Sequence, residues 1–193
     1  MGNSLALAGA AATGKTTAAR IISGLVPGVR YVEVEARECW PIRSPAEREE
    51  CFMESFLESI TSKGPIVHDN ALLSVYGYSR ALEALADPGE AAKLRDVAKR
   101  ALRAQEELLS KATRLVLLVA SEHAIATRVL SRMSWEEERS NNSVEALVSI
   151  HVQAQEFMKD AALKLGVPIV DTTSIEPPQV AILLLKYWEK DKL

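Results

Sequence analysis

One string constrains this chain more than any other: Gly9-Ala10-Ala11-Ala12-Thr13-Gly14-Lys15-Thr16. It satisfies the pattern G-x-x-x-x-G-K-[ST] in full. An apolar run at 4–8 precedes it, and Thr17-Ala18-Ala19-Arg20-Ile21-Ile22 continues with helical character, so strand, tight loop and helix are predicted in that order. Glycines let the backbone curl until successive N–H groups face one anion, and the helix N-terminus adds its partial positive charge. The expected ligand is ATP, held by Gly9, Ala10, Ala11, Ala12, Thr13, Gly14, Lys15, Thr16 and Thr17. Lys15 is expected at the β- and γ-phosphates, and the Thr16 hydroxyl on Mg²⁺.

Around this loop, apolar runs of strand length at 4–8, 30–35, 65–68, 114–120 and 167–170 alternate with longer helical stretches. That alternation predicts an α/β fold with a parallel sheet. One helical stripe carries Phe52, Met53, Phe56, Leu57 and Ile60, and a second Leu94, Val97, Ala98, Ala101, Leu102, Leu108 and Leu109. A third helix is expected from about 143 to 165, with His151 inside its apolar stripe as a packed core residue. Asp87-Pro88-Gly89 divides a short helix from a long one, and the polar stretch 134–142 reads as a mobile turn. At 193 residues, the whole of 1–193 is expected to form a single domain.

Composition removes several classes of function. With 23 Lys+Arg against 26 Asp+Glu, net −3, there is no overall positive field to recruit nucleic acid or an anionic membrane, so any phosphate must be held locally. No apolar run reaches the roughly 20 residues a bilayer requires. The apolar start lacks a preceding basic segment, and position 6 is Ala6, where a myristoylation signal wants Ser or Thr. Cys39 and Cys51 are too few for a disulfide framework and have no zinc-ligand spacing. A reducing, cytoplasmic setting is the expectation.

A phosphate loop needs a carboxylate at the end of a neighbouring strand to hold magnesium, and Ile66-Val67-His68-Asp69 supplies Asp69. The other role open to Asp69 is that of helix N-cap. His68 is expected to be a packed strand residue. The chain holds neither the Asn-Lys-x-Asp nor the Asp-x-x-Gly string of guanine-nucleotide switches, and Asn70 rather than Glu follows Asp69. Switches and hydrolytic motors are therefore disfavoured against kinases, which need cations to align donor and acceptor.

Over nearly the whole chain, in order, the sequence resembles the thymidylate kinases among the nucleoside monophosphate kinases. Their third strand ends in Asp-Arg-Tyr, then Ser, then Ala-Tyr-Gln; here Asp69, Ser74 and Tyr78 fall at matching spacing. Their Asp-Pro-Glu-x-Ala-x-x-Arg-x-x-x-Arg helix is similar to the segment from Ser121 to Arg132, with Arg128 and Arg132 at its arginines. The resemblance implies a three-layer sandwich with a five-stranded parallel sheet, order 2-3-1-4-5, flanked by helices, and a short lid at approximately 133–142. It implies Lys15, Arg132 and Arg37 as catalytic cations and Arg128 at the nucleotide. Arg37, Arg48, Asp69, Ser74 and Tyr78 would meet the acceptor, Thr16 and Asp69 the metal, and the assembly would be a homodimer.

The departures fall on the acceptor side. Ala11 and Ala12 stand where the family carries an Asp and sometimes an Arg. Asn70 replaces an acceptor-phosphate arginine, and Ser44 stands where an aromatic would stack on the base. With no arginine in the loop, the second catalytic cation falls to Arg132 or Arg139. Three functions stay open on these residues: transfer from ATP to dTMP, transfer to another small acceptor, and nucleotide binding in a regulatory protein without transfer.

Overall fold

β1 (Ser4–Ala8) is inaccessible along Leu5, Ala6, Leu7 and Ala8, as expected of an apolar run covered on both faces of a parallel sheet. The computed structural model describes residues 4–33, 38–61, 64–110, 113–131 and 143–189. Arg37, Arg132, Arg139 and the expected lid at 133–142 lie outside these. β1 pairs in parallel with β3 (Ile66–Asp69) and with β4 (Thr113–Val119). β2 (Arg30–Glu33) and β5 (Ile169–Asp171) complete a five-stranded parallel sheet of order β2-β3-β1-β4-β5. This is the order implied by the resemblance.

Helices cover both faces. α1 (Lys15–Leu25) and α7 (Pro177–Glu189) close one side, where Leu5, Leu7, Ile22, Val116, Leu118 and Leu184 form a core. The other side holds α2 (Pro45–Ser59), α3 (Leu72–Glu83), α4 (Pro88–Leu109) and α6 (Val144–Leu165). Phe56, Leu72, Leu73, Leu117 and Met158 are buried there. α5 (Glu122–Leu130) brings Ile125 and Val129 against Ala12 and Ala120.

The helix starts follow from local chemistry. Ser44 caps α2 by accepting from the Glu47 N–H, with Pro45 in the first turn, and Asp87 caps α4 ahead of Pro88. The two caps are also joined. Glu90 Oε1 accepts from the Ser44 hydroxyl at 2.6 Å and from the Ala46 N–H at 2.9 Å, which holds its carboxyl below the usual range. α3 and α6 meet at Gly77, where a Cβ would lie 2.5 Å from Met158 Cγ and 2.7 Å from the Ala154 carbonyl.

One expectation is corrected. Cys39 and Cys51, read as reduced, form a disulfide across a separation of 12 residues, Cα to Cα 5.6 Å. The turn before α2 folds Cys39 back against the second turn of the helix, a proximity the spacing alone does not reveal. Among the described residues no helix is long and apolar enough to cross a membrane.

Candidate phosphate-loop site

The 9–16 loop leaves the C-terminal end of β1, where parallel α/β sheets place their ligands. Three of its residues have positive φ: Gly9 at 150°, Ala12 at 63° and Gly14 at 91°. At Gly9 glycine is compulsory for space as well, because a Cβ would stand 2.5 Å from the Leu118 carbonyl oxygen. Gly14 is the N-cap of α1 and provides no side-chain cap, so the first-turn amides of α1 are left to an anion. The Lys15 ammonium arches over the loop and donates to the Gly9 and Ala10 carbonyls, both at 2.9 Å. Thr13 is fully buried and donates its hydroxyl proton to the Ala10 carbonyl at 2.9 Å.

Side chains from four other elements hold this curl from outside. On α3, Ser74 Oγ accepts from the Gly9 N–H at 3.2 Å, and one turn later the Tyr78 hydroxyl accepts from the Ala11 N–H at 2.7 Å. His151 Nδ1 on α6 lies 3.0 Å from that hydroxyl. Arg128 on α5 donates to the Ala12 carbonyl at 3.1 Å and to the Thr172 carbonyl at 2.9 Å. Thr172, just after β5, shares its hydroxyl proton between the Thr13 and Val119 carbonyls, each at 3.0 Å. Of the residues expected around the nucleotide and acceptor, Ser74, Tyr78 and Arg128 thus meet directly on the loop.

Asp69 ends β3 beside Leu7 of β1. It is buried, and its Oδ2 accepts from the Tyr31 hydroxyl at 3.2 Å. Burial, followed by the nearby charges of Asp69 and Glu33, pushes the Tyr31 phenol far up, so it remains a donor. Arg20 lies over the Tyr31 ring, 5.5 Å from its centre. The N-cap of α3 is Ala71 rather than Asp69, which leaves Asp69 Oδ1 and the Thr16 hydroxyl without a hydrogen bond among the described residues. Two such oxygens suit Mg²⁺, which takes few protein ligands and completes its shell with phosphate and water. No cluster of three or more ligating acid, His or Cys side chains occurs among the described residues.

Asn70 follows with φ 116°, unusual for a residue other than glycine, and its Oδ1 is buried without a partner. Arg48 sits half-buried on α2 and joins none of these groups. Ser44 is taken up by capping. Tyr31, His151 and Thr172 are site residues that sequence reading does not find. On the core face of α2 with Met53 and Phe56, Glu49 is 5% exposed. Its desolvated carboxyl is pushed up to about 7 despite the neighbouring Arg48.

The sheet order and loop define a phosphate-loop kinase fold. No family model matches the sequence, and no curated protein matches it in a sequence search. Among solved structures, deoxyadenosine kinase from M. mycoides with the products dCMP and dCDP superposes with a TM-score of 0.72 at 15% identity, over 97% of this chain and 98% of that one. Thymidylate kinase from Candida albicans follows at 0.62 and 15%, over 99% and 92%. Shikimate kinase from Acinetobacter baumannii in complex with shikimate gives 0.63 and 12%, over 100% and 96%.

Proposed function

We propose that this chain transfers the terminal phosphoryl group of ATP to a small nucleotide or nucleoside acceptor. The observation that carries the reading is the loop itself: an uncapped helix N-terminus, a lysine folded over the curl, and a buried carboxylate two residues before the loop's level on the adjacent strand. In this reading the α1 amides hold the phosphates, Lys15 follows the charge that develops on the transferring group, and Thr16 and Asp69 hold Mg²⁺. Bound there, the metal would neutralise phosphate charge. Arg37 and Arg132 are the cations proposed to complete the charge balance on the acceptor and donor sides.

The finer reading is a nucleoside monophosphate kinase acting on dTMP. Its support is the spacing of Asp69, Ser74 and Tyr78, with the Tyr78 ring beside the loop to crowd a ribose 2′-hydroxyl. Asn70 favours a second reading, an uncharged acceptor such as a deoxynucleoside. Where the resemblance expects a phosphate-binding arginine, this side chain offers a neutral, unpartnered oxygen that suits a hydroxyl or amine donor. A coupled assay of ADP release with dTMP, dUMP, UMP, thymidine, deoxyadenosine and deoxycytidine decides between them. The dTMP reading expects turnover with dTMP and loss of deoxy preference in Tyr78→Ala; turnover with nucleosides alone selects the second. ADP binding without turnover on any acceptor leaves a nucleotide-binding regulatory protein and refutes transfer.

A further inference from the structure

The outer wall of the phosphate loop is tied through Tyr78 to His151 on α6. The Ala11 N–H donates to the Tyr78 hydroxyl at 2.7 Å, and that hydroxyl lies 3.0 Å from His151 Nδ1, the rings edge to face at 5.7 Å. Three elements far apart in sequence converge here, with His151 only 9% exposed on the inner stripe of α6. We propose that His151 is a positioning residue for phosphoryl transfer, acting through Tyr78 to fix the Ala11 amide and with it the curl of the loop.

A phenol has one proton and two lone pairs. With one lone pair engaged by the Ala11 N–H, the Tyr78 hydroxyl keeps its proton and a second lone pair, and either can bond His151 Nδ1. Each bond polarises the next, so the amide is held more firmly than by an isolated tyrosine. The held position matters because Ala12, the next residue, has φ 63°, a conformation alanine does not choose unaided. If the Ala11 amide loses its partner, the peptide before the strained Ala12 is held from its carbonyl side alone, by Lys15 and Thr13. Ser74, one turn before Tyr78, fixes Gly9, and Arg128 fixes the Ala12 carbonyl. The Tyr78–His151 pair is therefore the support of the Ala11 N–H.

The inference rests on the transfer reading, and its test keeps the two separable. Tyr78→Phe, His151→Phe, the double variant and His151→Asn are compared with the parent for amide hydrogen exchange at Ala11, ADP affinity, and kcat and KM for ATP. The phenylalanine at 151 keeps the ring contact and removes the hydrogen-bonding nitrogen; asparagine restores an amide that can accept or donate near the Nδ1 position. Exchange at Ala11 should accelerate about tenfold or more in both single phenylalanine variants, the scale of one lost hydrogen bond, and return toward the parent in His151→Asn. kcat should fall about tenfold with KM for ATP within about twofold, and the double variant should be no slower than the slower single. Unchanged Ala11 exchange in His151→Phe, or losses that multiply in the double variant, would overturn the proposal. A parent that transfers to no acceptor refutes the kinase reading alone, since exchange and ADP affinity still decide the role of His151.

Discussion

Replacing Glu49 by glutamine should uncover a pH dependence of stability that the parent hides. Two buried groups titrate with opposite sign. Burial raises the Glu49 carboxyl from 4.5 to about 7, so between these values the folded protein keeps a proton that the unfolded chain has released. Stability from Glu49 is therefore greatest at low pH and falls as pH rises through that window. His68, packed against Phe56 with Ser59 Oγ at 3.2 Å from Nδ1, is lowered from 6.5 to about 4, by burial first and then by Arg30. There the unfolded chain holds the extra proton, so stability falls as pH drops from about 6.5 to 4. Across pH 4.5–6.5 the two slopes, each about 1.4 kcal/mol per pH unit, cancel. Glu49→Gln removes one of them, and stability should then fall by about 3 kcal/mol between pH 6.5 and 4.5. The same variant should gain about 3 kcal/mol over the parent above pH 7, where the parent carries a buried carboxylate. Urea denaturation at four pH values reads both effects, and His68→Gln should give the mirror slope. The lowered carboxyls Glu90 and Asp171 act below this window. A Glu49→Gln profile parallel to the parent's would refute the reasoning, because Glu49 would then ionise as it does in water.

Lys15→Ala should lower turnover by about 10²–10³ while thermal denaturation changes little, since a half-buried loop cation and no core packing is removed; parental turnover would end the kinase reading. Asp69→Asn should raise the magnesium concentration needed for half-maximal rate more than it weakens ADP binding, and an unchanged requirement returns Asp69 to its hydrogen bond with Tyr31 alone. Gly77→Ala should destabilise by about 1–3 kcal/mol, because the Ala154 carbonyl at 2.7 Å from the new Cβ can yield only by parting α3 from α6; a parental denaturation midpoint would contradict that close approach. Removing the Cys39–Cys51 bond in the double serine variant should cost about 3 kcal/mol by the chain-entropy estimate for a short loop. Equal denaturation midpoints with and without reductant would show that the bond is not formed.

The fold was legible where burial acts on contiguous residues. Central parallel strands are enclosed on both faces and so read as apolar runs, which is how β1, β3 and β4 are found; the less enclosed edge strands β2 and β5 also fall within about two residues of their places. The shift at β3 has a local cause: Pro65 has no N–H for the ladder, and its carbonyl accepts from the Arg30 N–H. α7 escaped because Val180-Ala181-Ile182-Leu183-Leu184-Leu185 is apolar on every side and gives no stripe. The first turns of α2 escaped beneath the charges of 47–50, although Ser44, Pro45 and Glu47 together are a helix-start signature. In the site, the loop was legible because an anion cradle is built from consecutive amides. Tyr31, His151 and Thr172 were not, since each meets its partner from 38 to 159 residues away.

The alanines of the loop follow from the same geometry. Ala11 and Ala12 stand where a longer side chain would organise the loop from within, and here the organising groups arrive from outside. Tyr78 takes the Ala11 amide, Arg128 the Ala12 carbonyl and Thr172 the Thr13 carbonyl. Ala12 is 6% exposed and packs with Ile125 and Val129, so a larger residue there would have to displace α5. An alanine at φ 63° keeps that conformation only while its neighbours over-determine it. The loop's shape is therefore a property of how α3, α5 and the turn after β5 sit against β1. It follows that a substitution which shifts any of those elements acts on the phosphates without touching them, and a search confined to the 9–16 string would not find the residues responsible.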